Sequence, residues 1–257
     1  MMKTCWKICL TVAVVATMCA VSHTSVQAAE WGTVTGRIVF DGAVPTLTAK
    51  VKKGDPAAKD AEVCAANDVP DDSLVVNGDN KGVQHVVIYL RKAPSSIHPD
   101  LSASSEKEVV MDQKGCVFTP HTLICRTDQS VVCKNSDAVA HNVRTAPFSN
   151  SAENFIVAPS DQQGKAVQMK LSESRPVKVS CDIHTYMTGW WIVLDHPYAA
   201  ITDADGNFTI ENLPAGKHDF IIWQEKAGYL EKKFTVDVKA GDNPVGDLKF
   251  GADKFAE

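Results

Sequence analysis

The chain has 257 residues, a formal net charge of −5 at pH 7, 44% hydrophobic residues and eight cysteines. A mildly acidic chain of this kind is not expected to bind nucleic acid or an anionic membrane, because both repel negative charge. Its length suits one large domain or two modest ones, each able to bury a core. Length and charge therefore argue against nucleic acid and anionic membranes as partners, but they do not indicate a function.

The first 28 residues have the pattern of a secretory signal peptide. Lys3 and Lys7 give a positive start, an uncharged apolar run covers residues 8–21, and a small-x-small cleavage pattern ends at Ala28. The run is short for a transmembrane span, so a retained anchor is the less favoured alternative. We therefore expect an exported protein of the periplasm or cell envelope, with no membrane span in its mature part.

Strand signals dominate the rest of the chain. Short runs of β-branched and aromatic residues recur between turn signals, and no stretch has a convincing 3.6-residue apolar period. The pattern predicts an all-β protein made of sandwiches or barrels, with residues 50–80 less regular. The predicted strands are residues 33–40, 86–90, 131–134, 177–180, 191–194, 207–210, 219–223 and 234–238.

The last part of the chain carries a hairpin signal. Asp205-Gly206 between two predicted strands favours a tight turn, since glycine supplies the positive φ that such turns need. Asp203, Asp205 and Asn207 also resemble a calcium loop, but the closing bidentate Glu is missing, so the turn is favoured.

A motif in residues 202–220, together with the first two predicted strands, resembles the carboxypeptidase-regulatory-like domain, a small Ig-like β-sandwich. In that family these pieces lie close together in sequence, whereas here about a whole small domain separates them. The simplest account is an insertion, with residues 30–102 and 196–250 forming one sandwich and residues 103–195 forming a second domain. Two sandwiches in series are the alternative.

Candidate metal ligands stand in the predicted inserted domain. Cys181, His184 and Met187 form a Cys-x2-His-x2-Met pattern directly after a predicted strand, and His141 lies upstream. A thiolate, two imidazoles and a weak thioether are the blue-copper ligand set, which suits both oxidation states of one copper ion. Taken singly, these residues could be a disulfide partner, a surface histidine and a core methionine. Zinc is the main rival metal, but a thioether is a poor zinc ligand.

Residues 109–194 resemble the cupredoxin family, on the runs at 118–123 and 131–137 and on a ligand loop most similar to the amicyanin type. The resemblance implies a Greek-key β-sandwich or barrel that holds one mononuclear copper ion at one end. It also implies one-electron transfer through the solvent-facing edge of the second histidine, with a small soluble redox protein as partner. The implied ligands are His141, Cys181 and His184 as equatorial ligands and Met187 as the axial ligand. The whole chain also resembles proteins labelled methylamine-utilisation-like, which combine these two domains.

The ligand loop departs from the family pattern at two positions. Ile183 replaces the usual proline, and its N–H is expected to donate to the thiolate and raise the reduction potential. Asp182 replaces the usual Ser or Thr, and the amide of Asn142 is expected to donate to it, with plain solvation as the alternative. Alternation predicts that Trp190 and Trp191 split between core and surface. The alternative is that Tyr186 and one of these tryptophans rim the site as a docking patch.

Five cysteines remain after the predicted leader, and an odd number in an exported protein needs a reason. If Cys181 binds copper, four are left for two disulfides, which an oxidising compartment permits. His121 is expected at the surface, and a second metal site shared with Cys116 is the less favoured alternative. The expected disulfide pairs are Cys64–Cys116 and Cys125–Cys133, the latter depending on the length of the intervening turn.

The chain carries none of the common catalytic or haem motifs, so no enzymatic activity is expected. The leading hypothesis is an exported blue-copper protein for one-electron transfer. Two alternatives stay open: a copper-binding or storage protein without a redox partner, and a cell-surface or carbohydrate-binding module that carries a copper domain.

Overall fold

The computed structural model describes residues 30–256, and the predicted signal peptide at residues 1–28 therefore lies outside the described residues. The described part is nearly all β, which confirms the predicted fold class. None of its helices has the length and apolar character that crossing a bilayer requires. The strands are β1 (Trp31–Asp41), β2 (Val87–Leu90), β3 (Glu108–Gln113), β4 (Phe118–Thr119), β5 (Thr122–Arg126), β6 (Ser130–Cys133), β7 (His141–Ala146), β8 (Asn154–Val157), β9 (Lys165–Gln168), β10 (Val177–Ser180), β11 (Thr188–Leu194), β12 (Ala199–Ile201), β13 (Asn207–Pro214), β14 (Gly216–Gln224), β15 (Gly228–Val238) and β16 (Gly241–Gly251). One α-helical turn, α1 (Ala61–Cys64), and two 3₁₀ turns, Pro99–Leu101 and Ala252–Phe255, complete the elements.

Two of the four sheets combine strands from the two ends of the described chain. In the first sheet β1 lies between β13, which is antiparallel to it, and β16, which is parallel. In the second sheet the strand order is β12-β2-β14-β15. Inward side chains of both sheets, among them Ile38, Ile88, Leu213 and Phe220, form one buried core. The chain leaves this sandwich after β2 and returns to it at β12.

The other two sheets use only strands from residues 108–194. Their orders are β5-β11-β10-β7-β8 and β4-β3-β6-β9. Met111, Phe118, Val143 and Trp191 are fully buried between them, and the Trp191 indole N–H donates to the Met111 sulfur at 3.1 Å. The proposed boundaries at residues 102/103 and 195/196 stay predictions that expression of separate fragments would test.

The two tryptophans on β11 face opposite sides, as alternation along a strand predicts. Trp191 points into the core, whereas the Trp190 ring packs edge-on against Trp223 of β14, with 4.9 Å between ring centroids. Ile192 and Leu194, on the same side as Trp190, are buried against Val87, Tyr89 and Ile221. The outward face of β11 is therefore a contact between the two sandwiches, and the alternative that a tryptophan rims the metal end is wrong.

The irregular stretch at 50–80 contains a closed loop, named here the 51–69 loop. Its ends meet where the Val69 N–H donates to the Val51 carbonyl at 2.8 Å, and the Gly54 N–H donates to Ala65 at 2.7 Å. The buried side chains of Val51, Ala65 and Val69 pack against Val117 and Tyr186 of the second sandwich. The loop therefore lies on the end of that sandwich that carries the ligand loop, where a disulfide from Cys64 also attaches it.

One of the two expected disulfides forms. Cys64 and Cys116 are bonded, as predicted, but Cys125 and Cys133 are free thiols, so the second pair is wrong and Cys181 is not the only free cysteine in the described chain. The reason is that Cys125 lies on β5 and pairs with β11 in one sheet, whereas Cys133 lies on β6 and pairs with β3 and β9 in the other. The turn between them changes sheets and makes no hairpin. Burial raises the pKa of each of these thiols to about 12.

Candidate metal centre

His141 starts β7 and is held from its outer side by a carboxylate. Its Nε2 lies 2.9 Å from Oδ2 of Asp137, and the same carboxylate accepts the N–H groups of Gly115 at 2.6 Å and Cys116 at 2.8 Å. Burial opposes the charge of Asp137, but the bonds from His141 and these two N–H groups outweigh it and keep the pKa of Asp137 below its ordinary value. A carboxylate that accepts the Nε2 proton leaves Nδ1 free as a donor to a metal.

The segment from Cys181 to Met187 is a tight loop between β10 and β11. The Met187 N–H donates to the His184 carbonyl at 2.9 Å, and the Cys181 N–H donates to the Met187 carbonyl at 3.3 Å. The backbone therefore folds back on itself and brings the sulfur-bearing residues at its two ends together. Both side chains are almost fully buried in the core of the second sandwich.

Three of the predicted ligands converge. Nδ1 of His141 lies 3.0 Å from Nδ1 of His184, and the Cys181 sulfur lies 4.0 Å from the latter nitrogen. All three donor atoms lie within 4.8 Å of one another. Two imidazole lone pairs and a thiolate that face one another repel unless a proton or a cation lies between them, so the donor set fits a small, soft metal ion. Met187 contributes to the same buried cluster, where a thioether would be a weak additional ligand.

His184 is covered, contrary to the expectation of a solvent-facing edge. Only 1% of its surface is exposed, and its Nε2 lies 2.9 Å from Oδ2 of Asp60 in the 51–69 loop. Asp60 has the left-handed backbone conformation, with φ 52° and ψ 45°, and precedes α1. Sequence reasoning missed Asp60 because 124 positions separate it from His184. The signal that could have found it was Cys64, whose predicted bond to Cys116 brings this loop to the second sandwich.

Asn142 connects the two ligand-bearing loops. Its Oδ1 accepts the N–H groups of Asp182 at 2.6 Å and Ile183 at 3.2 Å, while its Nδ2 donates to the Asp182 carboxylate at 3.2 Å. The predicted Asn142–Asp182 bond is thus confirmed. The Ile183 N–H donates to Asn142 and also acts on the Cys181 sulfur, where it helps to lower the pKa of the thiol, as predicted. The His184 N–H also donates to the Cys181 sulfur, at 3.4 Å.

The pKa shifts of the candidate ligands come from burial and from the hydrogen bonds and charges around them. Burial opposes the Cys181 thiolate, but hydrogen bonds from His141 and from the backbone N–H groups of Asn142, His184 and Ile183 lower the pKa of this thiol. Burial disfavours a charged His141, yet its bonds to Asp137 and Cys181 raise the pKa of this imidazole to about 9. Burial and the nearby charge of His141 lower the pKa of His184. The interaction between His141 and Cys181 therefore favours the charged form of each.

Because the pKa of His141 is raised to about 9, we expect metal binding to displace a proton from this imidazole, so that apparent affinity increases with pH up to about 9. Below this value one proton is lost per metal bound, which corresponds to roughly a tenfold gain in affinity per pH unit. A Co²⁺ titration between pH 6 and 9, followed by absorption, would measure the slope. In Asp137→Asn the plateau should start at lower pH, because the main group that raises the His141 pKa is neutralised. An affinity that does not change between pH 6 and 9 would contradict the assignment.

His121, expected at the surface, is buried and pairs with a carboxylate of the other sandwich. Its Nε2 lies 2.5 Å from Oε2 of Glu225, and its ring centroid lies 5.5 Å from that of His85. Cys116, the partner considered for a second metal site, is in the disulfide. His121 therefore contributes to the contact between the sandwiches.

No protein-family model and no curated protein sequence matches this chain. Several solved structures do, all at low similarity. A purple cupredoxin from Nitrosopumilus maritimus is 15% identical, with 34% of this chain and 99% of that chain covered and a TM-score of 0.28. The amicyanin from Paracoccus versutus is 18% identical, with 41% and 96% covered and a TM-score of 0.27. A copper-containing nitrite reductase from Thermus scotoductus is 18% identical, with 40% and 28% covered and a TM-score of 0.28. Copper is named for the nitrite reductase, and the candidate metal site of this chain is inferred from its own donor atoms.

Proposed function

We propose that this chain binds one copper ion through His141, Cys181, His184 and Met187 and exchanges single electrons. The observation that carries the proposal is the approach of the two Nδ1 atoms to 3.0 Å beside the Cys181 sulfur, in a site closed to water. Copper bound there would supply one-electron oxidation and reduction, and a mixed nitrogen and sulfur set suits both of its oxidation states.

Neighbouring residues of the chain orient the candidate donor atoms toward one another. Asp137 and Asp60 accept the Nε2 protons of His141 and His184, which directs both Nδ1 lone pairs inward. Asn142 fixes the loop after Cys181 through two backbone N–H groups. Because these hydrogen bonds hold the donor side chains in place, we expect little rearrangement on metal binding or on a change of oxidation state, and low reorganisation favours electron exchange.

A second candidate function is copper binding or storage without a redox partner. The observation that favours it is the cover over His184, since a docking protein cannot touch the imidazole edge directly. A small soluble redox partner, export and the absence of enzymatic activity belong to the proposal. The resemblance of the first sandwich to the carboxypeptidase-regulatory-like domain, and with it a carbohydrate-binding role, stays a prediction.

The optical and electron-spin-resonance spectra of the Cu²⁺-loaded protein test the proposal. We expect an intense visible thiolate-to-copper band and a narrow copper hyperfine splitting at one equivalent, because a buried thiolate is bound directly. Weak ligand-field colour alone would contradict it. Cyclic voltammetry then distinguishes the two functions. Reversible one-electron waves and exchange with a small soluble carrier support electron transfer. Bound Cu⁺ that mild oxidants cannot oxidise supports storage.

A further inference from the structure

The 51–69 loop comes from the first sandwich yet reaches a predicted ligand of the second. The carboxylate of Asp60 lies 2.9 Å from Nε2 of His184, and the imidazole is 1% exposed, whereas the Asp60 side chain is 37% exposed. Asp60 therefore lies between the buried imidazole and solvent. No other described residue is hydrogen-bonded to this nitrogen.

A disulfide connects the supports of the two histidines. The Cys64 N–H donates to the Asp60 carbonyl at 2.9 Å, so Cys64 and Asp60 belong to the same short turn. Its disulfide partner Cys116 donates its backbone N–H to the Asp137 carboxylate at 2.8 Å. The sulfur atoms of both cysteines lie within 4.8 Å of a His184 nitrogen, and that of Cys116 also lies within 4.8 Å of a His141 nitrogen. The disulfide thus holds the two carboxylates at a set separation around the ligand pair.

We propose that Asp60 is a positioning residue for the metal centre and that the 51–69 loop is a fixed cover for the His184 edge. The inference rests on the proposed copper function and adds to it a residue from outside the second sandwich. Asp60 holds the Nε2 proton and the ring orientation of His184, so that Nδ1 points at the metal. Electrons then enter and leave through a layer that includes Asp60 and not through a bare imidazole edge.

The carboxylate has a chemical effect besides orientation. By accepting the Nε2 proton it places negative charge on the imidazole and makes Nδ1 a stronger donor, which favours Cu²⁺ over Cu⁺. Loss of such a support typically lowers metal affinity about 10-fold to 100-fold. Loss of Asp60 is therefore expected to weaken Cu²⁺ binding more than Cu⁺ binding and to raise the reduction potential.

Two substitutions of Asp60 distinguish the effect of its negative charge from its effect as a cover over His184, and neither strains the backbone. Asp60→Asn keeps a hydrogen-bond acceptor and Asp60→Gly removes the side chain, and both residues tolerate the left-handed conformation found here. Asp55→Asn is the matched control, because Asp55 lies in the same loop but its carboxylate caps the N–H of Ala57. We expect Cu²⁺ affinity to fall about tenfold in Asp60→Asn and further in Asp60→Gly, with Asp55→Asn unchanged and Asp60→Glu partly restored.

A second readout needs no copper. In the apo protein, diethylpyrocarbonate followed by peptide mass mapping should leave His184 unmodified in the parent and in Asp55→Asn, and should modify it in Asp60→Gly. Equal protection of His184 in Asp60→Gly, or an unchanged ratio of Cu²⁺ to Cu⁺ affinity, overturns the proposal. If the parent binds no copper at the thiolate but His184 becomes reactive only in Asp60→Gly, the cover stands and the copper function fails.

Discussion

Replacing Cys181 with serine is expected to abolish the intense visible absorption of the copper-loaded protein and to leave the protein folded. The thiolate is the source of a sulfur-to-copper charge-transfer band, and a hydroxyl cannot replace it as a soft donor. The lowered pKa of this thiol means that the thiolate forms at modest cost despite its burial. Absorption spectra of the Cu²⁺-loaded variant, with circular dichroism to check folding, make the measurement.

Cys125→Ser is the matched control for this change. Cys125 is a free, buried cysteine of the same core, and burial keeps its pKa near 12, so it is a neutral thiol that offers no thiolate. The control should lose a similar amount of packing and stability and keep the band at full intensity. A band that survives in Cys181→Ser, or that disappears equally in Cys125→Ser, would show that Cys181 is not the copper-binding thiolate.

Removing the Cys64–Cys116 disulfide is expected to give the largest loss of stability. The bond closes a loop across 52 positions, and the chain-entropy relation assigns such a closure about 4 kcal/mol of free energy of unfolding. The double variant Cys64→Ser and Cys116→Ser should show this loss in urea denaturation. It should also expose His184, because the 51–69 loop keeps its own backbone bonds but loses its covalent attachment to the second sandwich.

Parent protein treated with a reductant is the control for the double variant. Both should unfold at the same urea concentration if the bond itself, and not the serine substitutions, causes the change. A loss smaller than about 1 kcal/mol would mean that packing of Val51, Ala65 and Val69 already holds the loop in place and that the disulfide adds little.

Half of the strands were predictable because their side chains alternate or are uniformly β-branched. The predicted run at residues 177–180 coincides with β10, where Val177 and Val179 face the core. By contrast, β16 contains Gly241, Pro244 and Gly246, which are poor strand formers. It becomes a strand because β1 offers it a free edge in a parallel register that joins distant segments. Local pattern carries no information about such an edge.

The sequence by itself determined the ligand loop of the candidate site. Cys181, His184 and Met187 are three residues apart, so a single tight turn after β10 brings them together whatever the rest of the chain does. His141 needed only the register between β7 and β10, which neighbouring strands of one sheet provide. Short-range spacing was therefore enough to nominate the candidate donors, and their binding of a metal stays a prediction.

Only the tertiary structure decided how those donors are supported and covered. Asp60 meets His184 across 124 positions and Glu225 meets His121 across 104, and in each case the contact depends on how two sandwiches pack. Cys125 and Cys133 lie close in sequence yet do not bond, because the turn between them sends the chain into another sheet. Ligand spacing is a local property that short-range backbone geometry sets. Burial of a ligand edge is a property of packing between distant segments, and no pattern within either segment encodes it.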